Sequence, residues 1–89
     1  MIQESLTIAI RDGLDDRNSA KLAQLASKFV SEVWLSCNGV RGNAKSIMDV
    51  MKLKASWAAQ LELSVSGGDE RECMDAIRKL IEDKLGDPL

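Results

Sequence analysis

The 89-residue chain contains no histidine, so its chemistry rests on carboxylates, hydroxyls and two thiols. An imidazole base, a histidine nucleophile and a histidine metal ligand are all excluded. Cys37 and Cys73 are too few and too far apart for a cysteine-only zinc site. They read as buried thiols of a cytoplasmic protein rather than as a disulfide. No metal or cofactor is expected. The densest polar constellation is Asp15-Asp16-Arg17-Asn18-Ser19, immediately before the apolar spacing Leu22, Leu25, Ala26, Phe29. Any of its first members could cap a helix, and acidic side chains suit the positive end of one. Ser46-Ile47-Met48-Asp49 fits a capping box, with serine accepting from a backbone N–H and Asp49 reaching back. Asp69-Glu70-Arg71-Glu72 fits a second.

These residues must be held by elements, and the apolar pattern names them. Leu6, Ile8 and Ile10 alternate with Ser5, Thr7 and Ala9, the period of a half-buried strand, broken by Asp12-Gly13. The helical stripe of Leu22, Leu25, Ala26 and Phe29 follows, with Lys21, Gln24 and Lys28 on the other face. Alternation returns at Val33, Leu35 and Cys37 against Glu32, Trp34 and Ser36. Asn38-Gly39 then makes a hairpin turn, and Val40 to Asn43 is the returning strand, with Gly42 weakening it or marking a bulge. A short helix runs from Ser46 or Ile47 to about Met51, and the stretch from Lys52 to Ala59 has no clear pattern. Leu61, Leu63 and Val65 alternate with Glu62, Ser64 and Ser66 as a fourth strand ended by Gly67-Gly68. Cys73, Ala76, Ile77, Leu80 and Ile81 stripe a last helix, stopped by Gly86 and Pro88.

The order is therefore β-α-β-β-α-β-α, an α+β chain of two layers with helices covering one face of an antiparallel sheet. The opposite face should be polar; Thr7, Glu32, Glu62 and Ser64 fit, and Trp34 is the exception. The length supports one domain, residues 1–89, with no internal repeat and no linker. At 45% hydrophobic and 29% charged it reads as a globular chain. No apolar run approaches the roughly 18 residues of a membrane span, and no signal peptide is expected. A net charge of −2 argues against nucleic-acid binding by phosphate neutralisation.

Several words of the sequence resemble HPr, the histidine-containing phosphocarrier family of the bacterial sugar phosphotransferase system. Asn43-Ala44-Lys45-Ser46-Ile47-Met48 matches the family's regulatory serine motif. Ala20-Lys21-Leu22 and Ala26-Ser27-Lys28-Phe29 are similar to its first helix, and Asn38-Gly39 to its hairpin. The match covers about residues 2 to 85. It implies an open-faced sandwich, a four-stranded sheet in the order 1-4-2-3 with three helices on one face. The active-site loop departs from the family. The family has Gly, an aliphatic residue, His, Ala, Arg, Pro, Ala; this chain has Gly13, Leu14, Asp15, Asp16, Arg17, Asn18, Ser19. The resemblance therefore puts Asp15 at the phosphohistidine position. A chain without histidine cannot take a phosphoryl group from enzyme I by the family's route.

Three readings of Asp15 follow: a plain helix cap, a silenced carrier that keeps the docking surface, or a carboxylate that accepts phosphate as an acyl phosphate. A helix N-terminus and Arg17 would favour that added anion, and Asp16 would oppose it. Charge at Asp16, with the changes at Asn18 and Ser19, should also disfavour an acidic partner surface such as enzyme I's. In the family, the residue matched by Ser46 is phosphorylated from ATP by a serine kinase, and the product binds a transcription regulator. Here Ser46 is either that site or only a helix cap. The family usually has Gly at position 49, and the carboxylate of Asp49 would repel a phosphoserine. Ile47, Met48 and Met51 form a short apolar patch that reads either as core or, by the resemblance, as partner surface, with Lys45 and Lys52 flanking it. The resemblance also aligns Lys54 and Ala58 with common glycine positions, where positive φ would cost Lys54 on the order of 1 kcal/mol. Trp57 has no evident role. The implied function is a non-enzymatic, monomeric regulatory module with protein partners, namely a serine kinase, a transcription regulator or phosphotransferase-system enzymes. A residual Asp15 phosphocarrier and a phosphate-independent structural interaction domain are the alternatives.

Overall fold

The computed structural model describes residues 1–83. The elements follow the expected order: β1 (Ile2–Thr7), α1 (Asp16–Ala26), β2 (Glu32–Cys37), β3 (Val40–Asn43), α2 (Ile47–Lys52), β4 (Gln60–Ser66) and α3 (Glu70–Glu82). The strands form one antiparallel sheet in the order β1-β4-β2-β3. Gly86 and Pro88, expected to stop the last helix, lie outside the described residues.

Period-two patterning sets the register. Leu63 of β4 lies opposite Glu4 on β1 and Leu35 on β2, so Val33, Leu35, Leu61, Leu63 and Val65 line one fully buried face. β1 pairs only through Thr7, but its alternation continues: Ile8 exchanges backbone hydrogen bonds with Ala58 and Ala59, and Ile8 and Ile10 are buried. The helices close this face. Leu22, Ala23 and Ala26 of α1, Val50 of α2, and Cys73, Met74, Ile77 and Ile81 of α3 complete the core. Burial pushes the Cys73 thiol up to about 11 and also raises that of Cys37, so both stay protonated packing groups.

The β2–β3 turn has Asn38 at φ 56° and Gly39 at φ 78°, as a type I′ hairpin requires. Gly42 is not a bulge. It pairs in register with Leu35, and a Cβ there would come within 2.9 Å of the Asp49 carbonyl oxygen, so α2 rests directly on the β3 backbone.

The second capping box does not form. Asp69 is the N-cap residue of α3, and its carbonyl accepts from the Cys73 N–H, but its side chain makes no cap hydrogen bond. Its carboxylate instead accepts from the Val30 and Ser31 backbone N–H groups and from the Ser31 hydroxyl. Ser31 is fully buried, and a carboxylate accepting three donors from one turn does more there than a cap would. That set, led by the Ser31 hydroxyl, holds the Asp69 carboxyl below its ordinary range.

The unpatterned stretch after α2 is a tight loop with two non-glycine residues at positive φ, Lys54 at 52° and Ala58 at 71°. Both conformations are strained for a residue with a Cβ. Lys54→Gly and Ala58→Gly are each expected to raise stability by about 0.5–1 kcal/mol in urea unfolding. Unchanged or lowered stability would contradict the strain.

Candidate functional site

The loop before α1 is built inward from Gly13. Its φ is 64°, and a Cβ would lie 2.3 Å from the Ala55 carbonyl oxygen and 2.8 Å from the Ser56 Cα. The Leu14 N–H donates to that same Ala55 carbonyl at 2.8 Å, and Leu14 is buried. Only glycine allows the two loops to touch this closely. Residues 13–14 therefore sit against the strained loop that carries Trp57.

Two buried polar side chains then satisfy the loop's carbonyls. The Asn18 amide donates to the Gly13 carbonyl at 2.7 Å, and the Ser19 hydroxyl donates to that of Leu14 at 3.1 Å. Both residues point inward, with Asn18 at 6% and Ser19 at 0% exposure. They are therefore no part of an altered docking surface, contrary to the sequence expectation. Carbonyls buried in a packed loop need donors, and this is where they come from.

Asp15 stands at the N-cap of α1, exposed, with φ −76° and ψ −171°. Its Oδ1 accepts from the Asn18 N–H at 2.9 Å, and its carbonyl accepts the first helical bond, from Ser19. This is a complete N-cap. Asp16 and Arg17 are also exposed, and neither enters an ion pair among the described residues.

Ser46 is the N-cap of α2, half-buried, with its Oγ accepting from the Asp49 N–H at 3.3 Å. The reciprocal arm of the expected capping box goes elsewhere. Asp49 Oδ2 accepts from the Asn43 N–H at 3.0 Å, while the Ser46 N–H donates to the Asn43 carbonyl. Asp49 Oδ1 also lies 3.7 Å from the Lys52 ammonium. Lys45 is not a free flanking charge: its Nζ donates to the Phe29 carbonyl at 2.7 Å. The last turn of α1 has no basic residue of its own, and Lys45 brings a positive charge to the chain just beyond it. Of the apolar patch, Met48 is 75% and Ile47 43% exposed, Met51 is half-buried, and Val50 takes the core position. α2 packs on α1, so these side chains and the Asp15 loop belong to one helical layer.

Trp34 lies on the uncovered sheet face, in a shallow groove with Gln3, Ser5, Ser36, Arg41 and Glu62. The Arg41 guanidinium stacks 4.1 Å from its ring centroid, and its Nε1 donates to Glu32. Trp57 is 66% exposed beside the Asp15 loop. Among the described residues there is no cluster of His, Cys, Asp or Glu that could hold a metal, and no helix long and apolar enough to cross a membrane.

Comparison with known proteins places this arrangement. Over 87 residues the chain is 47% identical to the phosphocarrier protein HPr of Cupriavidus necator, covering 98% of each. Its fold superimposes on the crystal structure of HPr-C-His from Thermoanaerobacter tengcongensis with a TM-score of 0.95, at 39% identity and full coverage of both chains. It also matches Crh, the Bacillus subtilis catabolite repression protein whose crystal structure is a swapped dimer. There the TM-score is 0.74 at 32% identity, over 94% of this chain and 97% of that one. The family model for the PTS HPr component phosphorylation site matches residues 2–83, and the chain belongs to the HPr phosphocarrier family of the phosphotransferase system.

Proposed function

We propose that this HPr-family chain is a non-enzymatic regulatory interaction module, in which residue 15 caps a helix rather than carrying a phosphoryl group. One observation carries the reading: the Asp15 carboxylate is engaged by the Asn18 N–H at the position the family pattern reserves for its phosphohistidine. The docking surface comprises Asp15, Asp16 and Arg17 at the start of α1 and Ile47, Met48 and Met51 on α2, with exposed methionine suited to varied partners. Ser46 is the regulatory input, phosphorylated from ATP by a serine kinase to favour a transcription regulator. Its hydroxyl donates to no acceptor among the described residues, which leaves its proton available. The module acts as a monomer in one domain, residues 1–89, in the cytoplasm.

Two exposed carboxylates at the rim should weaken docking to an acidic partner such as enzyme I. Calorimetry is expected to give an affinity about tenfold below that of a histidine-bearing HPr, a like-charge effect of ordinary size. Equal affinity would contradict the reading.

A second reading has its own support. Asp15 is exposed, and among the described residues only its Oδ1 carries a hydrogen bond and the Arg17 guanidinium two residues on enters no ion pair. The free oxygen could attack the phosphohistidine of enzyme I, forming an O–P bond as the N–P bond breaks. The product would be an acyl phosphate.

A further inference from the structure

We propose that the uncovered sheet face holds a ligand site of its own, in which Arg41 and Glu62 take the two charged ends of a short zwitterionic peptide. The site lies across the sheet from α1 and α2, so it is independent of the readings of Asp15 and Ser46.

Strand register builds the site. Ser5, Glu62, Ser36 and Arg41 are successive cross-strand partners, one from each strand across β1-β4-β2-β3. Small serines therefore alternate with two long charged side chains, and Trp34 stands beside Ser36 on the same face of β2. The row opens a groove of about 470 Å³, the size of a small-ligand site. Most charges around it are already engaged. Glu4 is bound by Arg78, the Met1 ammonium by Glu70, and Glu32 accepts from the Trp34 indole N–H. Arg41 and Glu62 are exposed, and neither enters an ion pair or a side-chain hydrogen bond among the described residues.

These two opposite charges do not meet. The strand of Ser36 lies between them, and two strand spacings set their backbones about 10 Å apart. The Arg41 guanidinium is also held against Trp34, 4.1 Å from the ring centroid. Stacking fixes its plane and leaves its N–H groups free for a carboxylate. A ligand that satisfies both charges must carry both. An extended dipeptide holds its ammonium and carboxylate up to about 7 Å apart, which fits between anchors of that separation. Its peptide group would then lie over Ser36, whose hydroxyl both donates and accepts. Inorganic phosphate would pair with Arg41 but be repelled by Glu62, and a neutral saccharide would leave both charges unpaired.

The test is an NMR titration of the isotope-labelled chain with alanylalanine, following the Trp34 indole N–H and the backbone amides of Ser36 and Arg41. The dipeptide should shift these signals and saturate in the millimolar range, since exposed charge pairs bind weakly. Its N-acetylated amide, which lacks both charges, should not saturate, and neither should inorganic phosphate or maltose. Arg41→Gln and Glu62→Gln should each weaken the dipeptide about threefold or more while keeping the wild-type melting temperature. No saturable shift with the dipeptide would overturn the site. Equal binding of the capped peptide, of phosphate or of maltose would overturn it as a site for a zwitterion, as would wild-type affinity in either variant.

Discussion

Gly13→Ala is expected to cost about 3 kcal/mol, the sum of a left-handed backbone for alanine and a displaced buried hydrogen bond. That would lower the melting temperature by roughly 12–24 °C in a domain of this size. The cause is local and specific. The new methyl group would lie 2.3 Å from the Ala55 carbonyl oxygen, which is backbone and cannot rotate away. That carbonyl is also the acceptor for the Leu14 N–H. The loop can move only by giving up this bond and the seat of Leu14 in the core. Gly39→Ala is the control. Gly39 has φ 78°, but an added methyl group there would meet nothing within 4 Å, so it should cost only the backbone term, about 1–2 kcal/mol. If the two substitutions cost the same, the contact between the Asp15 loop and the Ala55 loop is not what holds them together.

Asn18→Pro is the second large effect, about 2–4 kcal/mol of stability. Residue 18 lies in the first turn of α1, where proline fits the helix and no intrahelical bond from its N–H is lost. The expected cost therefore comes from two named hydrogen bonds. Asp15 Oδ1 loses the Asn18 N–H, worth about 1 kcal/mol as a cap. The buried Gly13 carbonyl loses the Asn18 amide, worth about 1–3 kcal/mol. The family pattern has proline at this position. An aspartate at 15 can cap the helix through residue 18 only where that residue keeps an N–H, so the changes at 15 and 18 form one unit. A double-mutant cycle checks this. In an Asp15→Ala background, Asn18→Pro should cost about 1 kcal/mol less than in wild type, because the cap is already gone. Additive costs would mean that Asp15 and Asn18 are independent.

Local patterns were the readable part of this molecule. The Asn38-Gly39 turn and the alternation of β2 and β4 each depend on a few neighbouring residues and form as expected, whereas the stripe of α1 forms only over Leu22, Leu25 and Ala26, because the helix ends at Ala26 and Phe29 reaches the core from the turn beyond it. The N-caps at Asp15 and Ser46 were readable for the same reason. What stayed hidden was the choice among partners far apart in sequence. Asp69 serves Ser31 rather than its own helix because packing brings that turn within reach, and a pattern of four residues carries no sign of it. Asn18 and Ser19 looked like surface polar residues. Their acceptors belong to a loop buried against Ala55, so they turn inward. A glycine at a helix entry followed by two small polar residues is the signal that could have suggested it, since a buried loop must find donors for its carbonyls. Asp49 reads as half of a capping box, yet its carboxylate accepts from the Asn43 N–H at the end of β3, and the Ser46 N–H goes to the Asn43 carbonyl. The exposure of Ile47 and Met48, left open between core and surface, was settled by Val50 filling the inward position of a helix only six residues long.

The most direct measurement is the intact mass of the protein after incubation with phosphoenolpyruvate and enzyme I, before and after hydroxylamine. A carboxylate committed to capping α1, in a chain without histidine, should gain no phosphoryl group. A gain of one phosphoryl group that hydroxylamine removes, and that Asp15→Asn abolishes, would contradict the account and make Asp15 a working acceptor.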